Sequence, residues 1–218
     1  MDRNRKPVKS RRNYDSSRRK ERARQARHEI IETARQRFLQ AGFTPTTVRA
    51  IAKDAGVSVD TIYKTFGGKS GLVRAIYQVG LAGEGPVHAE TRSDTLQTTE
   101  SDTRKVYQGL GRFSSEVAPR AAPIHRLIRE AAATDPEMQD LLTTLDSERL
   151  ARMRHVARNL KSAGHVRDDL TVERVADILW TFTAPQLYEL LVESRGWTAV
   201  QFGTFTGEAL IAALAPQR

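Results

Sequence analysis

The chain has 218 residues, somewhat more than one average domain, so a small module followed by a larger one is expected. It has no cysteine, which excludes disulfides, thiolate catalysis and cysteine-held zinc or iron–sulfur centres; no apolar run approaches the roughly 20 residues that cross a bilayer and no apolar stretch follows the charged N-terminus, so a soluble, cytoplasmic protein without membrane contact is expected. The +9 net charge is uneven, since residues 1–28 hold twelve Lys/Arg and three Asp/Glu and everything after them sums to zero, the footprint of a chain that meets nucleic acid or an anionic surface with one end.

In chain order, MDRNRKPVKSRRNYDSSRRKERARQ has almost no apolar residues and repels itself, which predicts a disordered basic arm over residues 1–24. From about Glu21 the pattern changes: Ile30, Ile31, Ala34, Phe38 and Leu39 mark one face of a helix that ends before Gly42. GFTPTT supplies a turn in which Thr46 or Thr47 can cap the next helix. That second helix carries Val48, Ile51, Ala52 and Ala55 and ends at Gly56. Ser58 can cap a third, with Val59, Ile62 and Phe66 as its apolar set, and a fourth begins near Ser70 with Leu72, Val73, Ile76 and Val79.

Beyond it, GEGPVHAETRSDTLQTTESD is polar and rich in turn formers, which predicts a linker and loop over residues 83–101. Residues 102–218 are helical throughout, with breaks expected at Pro119 and Pro123, at Asp135–Pro136, at Gly164 and at Arg195–Gly196. No period-two alternation is long enough for a sheet, so the expected class is all-α, with residues 25–82 as a first domain and 102–218 as a second.

Helices as short as the second and third are marginal alone, so tertiary packing must hold them. Two such helices, each with one apolar face and joined by a tight glycine turn, describe a helix-turn-helix. At 100° per residue, Val59, Ile62, Tyr63 and Phe66 of the third helix cluster inward, and Asp60, Thr61, Lys64 and Thr65 lie opposite. A free face of this kind can enter the major groove of DNA. Ser58, Thr61, Lys64 and Thr65 are then candidates for base or backbone contacts. Tyr63 can pack its ring and reach a phosphate with its hydroxyl, and Lys69, just before the fourth helix, adds an ammonium to free backbone N–H groups. Thr46 or Thr47 plays the matching role at the second helix. Arg18, Arg19, Lys20, Arg22 and Arg24 extend the footprint along the backbone or into the minor groove.

TTVRAIAKDAGVSVDTIYKTFGGKSGLVRAI resembles the DNA-binding signature of the TetR family of bacterial transcriptional regulators, closely over about residues 28–82. LTVERVADILWTFTAPQLYELLVESRGWT resembles the family's ligand-binding and dimerisation domain loosely. Tyr63, Lys69 and the threonine at the second helix match phosphate-contacting positions of the family motif. Val59 and Asp60 join the candidate DNA-binding set, and Asp60 departs in character, since a carboxylate near phosphates is costly unless it accepts from a cytosine or favours its helix N-terminus. The resemblance implies a homodimer on double-stranded DNA, released from a palindromic operator by a small-molecule effector.

In the second domain, helices over residues 172–194 and 199–214 carry the strongest apolar faces. Ala199, Gly203 and Gly207 place small residues four apart and, with Leu210, are the candidates for a dimer interface made by close helix approach. Tyr107, Phe113, His125, Ile128, Met153, Trp180 and Phe182, near the kink expected at Pro185, are candidates for an apolar effector pocket, against ordinary core packing as the plainer reading. His125, His155 and His165 lack metal-ligand spacing, and no cofactor or metal is implied. No nucleophile, carboxylate pair or phosphate-cradling glycine loop stands out, which argues against an enzyme. A non-specific or architectural nucleic-acid-binding protein is the alternative, since the basic tail alone gives affinity.

Overall fold

The computed structural model describes residues 10–216, and of residues 10–17 and 20 the backbone alone. The described residues form helices without a strand: α1 (Ser10–Ala41), α2 (Val48–Asp54), α3 (Val59–Phe66), α4 (Lys69–Ala82), α5 (Ala89–Thr99), α6 (Thr103–Ala132), α7 (Pro136–Ser162), α8 (Val172–Phe182), α9 (Pro185–Tyr188) and α10 (Ala199–Leu214). A π-helical stretch, Glu189–Ser194, continues α9.

The N-terminal helices close around Ile30, Ile31 and Phe38 of α1, Ile51 of α2, Ile62 of α3 and Leu72 and Ile76 of α4, all buried. Their core does not stop at residue 82. It runs on into Ile124 and Ile128 of α6 and Met138, Leu141 and Leu145 of α7, so the first four helices and the following bundle share one apolar interior. A second core, around Val106, Tyr107, Leu160, Leu179 and Leu210, joins α6, α7, α8 and α10.

Three expectations need correction. Helix α1 starts at Ser10, well inside the stretch expected to be a disordered arm; residues 1–9 lie outside the described part. Arg, Lys, Gln and Glu are good helix formers, and extending a helix whose far end is already packed costs far less than nucleating one. Residues 89–99, expected to be loop, form α5, whose buried side is Ala89, Ser93 and Gln97, small or polar groups four apart. The Gln97 amide donates to Ser93 Oγ at 2.7 Å, which offsets their desolvation. Pro119 and Pro123 do not break α6, which runs through both. Tertiary packing on both sides, with Val106, Leu110, Ile124 and Ile128 all buried, outweighs the missing backbone bonds.

Other boundaries fall where turn chemistry puts them. Asp135 caps α7, its carboxylate accepting from Met138 N at 3.1 Å, with Pro136 at the first helical position. Thr198 and Gln201 form a reciprocal capping box at the start of α10. The kink expected at Pro185 is a full break: α8 ends at Phe182 and the chain restarts at Pro185.

Candidate nucleic-acid interface and ligand cavity

The α2–α3 unit is set by three local devices. Thr47 Oγ1 accepts from Ala50 N at 3.1 Å and caps α2. Gly56, at φ 66°, takes the left-handed conformation that ends α2 and turns the chain into α3. Ser58 Oγ accepts from Thr61 N at 3.0 Å and caps α3. Helix α1 braces the pair from outside through Arg37, whose Nε lies 2.6 Å from Asp54 Oδ2.

Helix α3 is anchored by one fully buried side chain, Ile62, with Phe66 half-buried behind it. Val59 and Tyr63, expected to face inward, are 37% and 53% exposed. Only two turns long, the helix touches its neighbours along a narrow line, so the flanks of the apolar sector stay in solvent. Its open surface therefore comprises Ser58, Val59, Asp60, Thr61, Tyr63, Lys64 and Thr65. Asp60 and Lys64 face each other one turn apart at 2.6 Å, so the carboxylate that departed in character is compensated within its own helix.

Thr46, a candidate contact, is 2% exposed and donates its hydroxyl to Gly42 O at 2.7 Å, so it shapes the turn and offers nothing to a ligand. The exposed Thr47 is the threonine left at that edge. Lys69 is the first residue of α4, whose cap is Gly68 without a side-chain bond. Its ammonium lies 3.8 Å from the centroid of the Phe43 ring, and partial burial lowers its pKa from the usual lysine value. The guanidinium of Arg27 stands over the Phe66 ring at 5.1 Å, so the basic first half of α1 departs beside the C-terminal end of α3. Arg18, Arg19, Arg22 and Arg24 are exposed on that half; the side chain of Lys20 lies outside the described part.

In the bundle, a cavity of about 550 Å³ lies between α4, α5, α6, α7, the end of α8, the start of α9 and the inner face of α10. Of the seven candidates for an effector pocket, Phe113 and Met153 line it. Tyr107 is buried away from it, its hydroxyl donating to His165 O at 2.9 Å, and Ile128 belongs to the shared N-terminal core. His125 is buried behind the cavity, its ring 6.2 Å from that of Tyr77 and its Nε2 3.6 Å from Asp146 Oδ1; burial lowers its pKa below the usual histidine value. Trp180 lies under the Arg149 guanidinium, and Phe182 meets Phe205 edge-on. Periodicity identified these side chains as interior without telling which interior surface is empty.

Residues missed by sequence reasoning supply the polar part of the wall. Tyr77, whose phenol burial pushes up to about 12, comes from α4, and Glu148, Arg149 and Arg152 come from α7. A signal for Arg149 existed: it occupies an apolar position in the series Leu141, Leu145, Met153, Val156, Leu160.

Gly203 and Gly207 also need correction. A Cβ on Gly203 would stand 2.6 Å from Gly111 O, and one on Gly207 3.1 Å from Tyr107 O, so both glycines serve a close crossing of α10 over α6 in the same chain. Leu210 is fully buried in the second core and Ala199 packs on the cluster of Tyr188 and Phe202. The outer face of α10 instead carries Val200, 72% exposed, beside Trp197 and Phe205.

Known proteins bear on this arrangement. Residues 30–76 match the family model of bacterial regulatory proteins, tetR family. YvkB of Bacillus subtilis (strain 168), described as an uncharacterized HTH-type transcriptional regulator, is 34% identical over 76 residues, 35% of this chain and 36% of that protein. The alignment thus spans about a third of that relative. Among solved structures, the fatty acid degradation regulator FadR from Bacillus halodurans superposes with a TM-score of 0.67 at 16% identity, over 86% of this chain and 98% of that one. A candidate transcriptional regulator from Saccharomonospora viridis in complex with choline does so with a TM-score of 0.63 at 17% identity, over 88% and 99%. These two show a shared fold along most of the chain. Residues 30–76 thus carry a helix-turn-helix like that of the tetR family of bacterial regulatory proteins, and most of the chain shares the fold of these solved structures.

Proposed function

We propose that the chain is a sequence-specific DNA-binding regulator of transcription, a homodimer that acts as a repressor and leaves a palindromic operator when a small molecule occupies the bundle. The observation that carries this is the surface of α3: a capped two-turn helix, held by Ile62, that leaves seven of residues 58–66 open. Such a helix has the width to enter a major groove, with Thr61, Lys64 and Thr65 toward the bases and Thr47, Tyr63 and Lys69 toward phosphates. The cavity of about 550 Å³ is of the size that small-molecule sites have, and the exposed Val200 of α10, with the half-buried Trp197 and Phe205 beside it, is the apolar surface offered for pairing with a second copy. No helix among the described residues is long and apolar enough to cross a membrane.

The test is selection of bound fragments from genomic DNA, followed by competition at fixed salt. A specific regulator prefers its selected site over random duplex by roughly a thousandfold or more. Tyr63→Phe and Lys69→Ala then lower affinity with little change in sequence preference. The basic first half of α1 favours the second reading, an architectural binder without effector control. Comparable affinity for selected and random DNA would establish it in place of the first.

A further inference from the structure

The cavity wall contains charges of both signs, and their partners differ. Arg152 is compensated twice, its Nη1 2.8 Å from Asp94 Oδ1 and its Nε 3.7 Å from Glu90 Oε1. Glu148 is paired with Arg74 of α4. Among the described residues, Arg149 has no carboxylate within ion-pair distance. Its Nη1 donates to Trp180 O at 2.7 Å, its guanidinium lies 4.0 Å from the centroid of the Trp180 ring, and its Nε is buried without a hydrogen-bond partner among those residues. The carboxylate that acts on it, Asp146, makes no ion pair with it and faces His125. Trp180 Nε1, on the ring beneath the same guanidinium, is a second buried N–H donor in the same condition.

A guanidinium withdrawn from water and left with one neutral acceptor is destabilising unless an anion completes its shell. Arginine cannot escape by losing its proton, and it offers a planar pair of donors that matches a carboxylate. Around it the wall is apolar, with Leu110, Phe113, Val117, Met153 and Phe202. We propose that the cavity takes an amphiphilic carboxylate, its anionic head on Arg149 and its hydrocarbon body along Phe113, Val117 and Met153. This assignment of ligand class rests on the reading of the cavity as the effector site.

The experiment is isothermal titration of the full chain with three probes below their aggregation concentrations: decanoate, decan-1-ol and decyltrimethylammonium. Decanoate should bind about tenfold or more tighter than decan-1-ol, as a charge-assisted bond to a desolvated guanidinium implies, and the cation most weakly. Arg149→Gln should abolish the preference for decanoate and leave decan-1-ol binding unchanged; Arg149→Lys, which keeps the charge, should retain part of it. Equal affinities for the acid and the alcohol, no binding of decanoate, or a preference that survives Arg149→Gln overturns the proposal. Should Arg149→Gln not fold, the probe series on the native chain and on Arg149→Lys decides. DNA binding, followed separately by anisotropy, keeps the two readings apart. A chain that discriminates decanoate yet ignores DNA loses the regulator assignment alone, and one that binds its operator yet treats the probes alike loses the ligand class alone.

Discussion

Arg74 of α4 and Glu148 of α7 form an ion pair that ties the last helix of the DNA-reading unit to the wall of the cavity. Both side chains are partly exposed, so the pair adds at most about 1 kcal/mol to stability. Its interest lies in its position, since it joins α4 to α7, the helices that bring Tyr77 and Arg149 to the cavity wall. If the pair acts as a unit, Arg74→Gln, Glu148→Gln and the double variant shift DNA affinity by the same factor. A double variant whose effect equals the sum of the two single effects, measured by fluorescence anisotropy, would remove the pair from the transmission path.

The basic half of α1 makes a prediction about salt. Each phosphate bound by a cationic side chain adds roughly 0.9 to the slope of log affinity against log salt concentration. Removing residues 1–24 should therefore weaken DNA binding and flatten that slope by about one unit for every phosphate the arm had neutralised. Identical slopes for the full and shortened chains would show that this helix stays off the duplex.

Gly203 predicts a stability effect. A methyl group there meets Gly111 O and the Ser115 side chain, and backbone cannot yield as a rotamer can. Gly203→Ala should cost about 1–3 kcal/mol in thermal or urea unfolding. Val200→Asp, on the outer face of the same helix, should leave the folded monomer largely intact and shift the proposed homodimer toward monomer in sedimentation. The opposite pattern would mean that the glycine face is the pairing surface.

His125 predicts a pH dependence. Its folded pKa is depressed, chiefly by burial, so the folded chain binds this proton less readily than the unfolded one. The contribution is fully present above the unfolded value near 6.5 and is lost as pH falls below it toward the folded value. Between pH 7.5 and 5.5 the native chain should lose more stability than His125→Met, with a difference in slope of at most about 1.4 kcal/mol per pH unit. Parallel melting curves across that range would show that the histidine titrates alike in both states.

The DNA-reading unit is legible in the sequence because each of its parts has a local cause. Ser58 and Thr47 are caps, Gly56 is a turn, and Ile51 and Ile62 each sit in an apolar set at helical spacing on their own helix. What escapes is whatever depends on a partner distant in the chain. Val59 and Tyr63 satisfy the periodicity of a buried face, yet α3 is too short to have two flanks covered. Helix α5 hides because Ser93 and Gln97 are polar groups that bury by bonding to each other. The spacing of Gly203 and Gly207 announces a close helix, but Gly111, the residue that receives it, stands about ninety positions earlier and gives no local sign. Arg149 reads as one more surface cation until Leu145 and Val156 fix which side of α7 faces inward.

Where α10 crosses α6, backbone lies on backbone at Gly111, Gly203 and Gly207, and α4 meets α6 in the same manner at Gly80. Side chains can absorb a disturbance by hopping between rotamers; a junction built from main chain has no such slack. At these points the spacing of the three helices is set by main chain alone. A molecule seated beside Phe113 would therefore meet a frame that can yield by moving side chains but not by sliding these helices together, since glycine leaves nothing there to move.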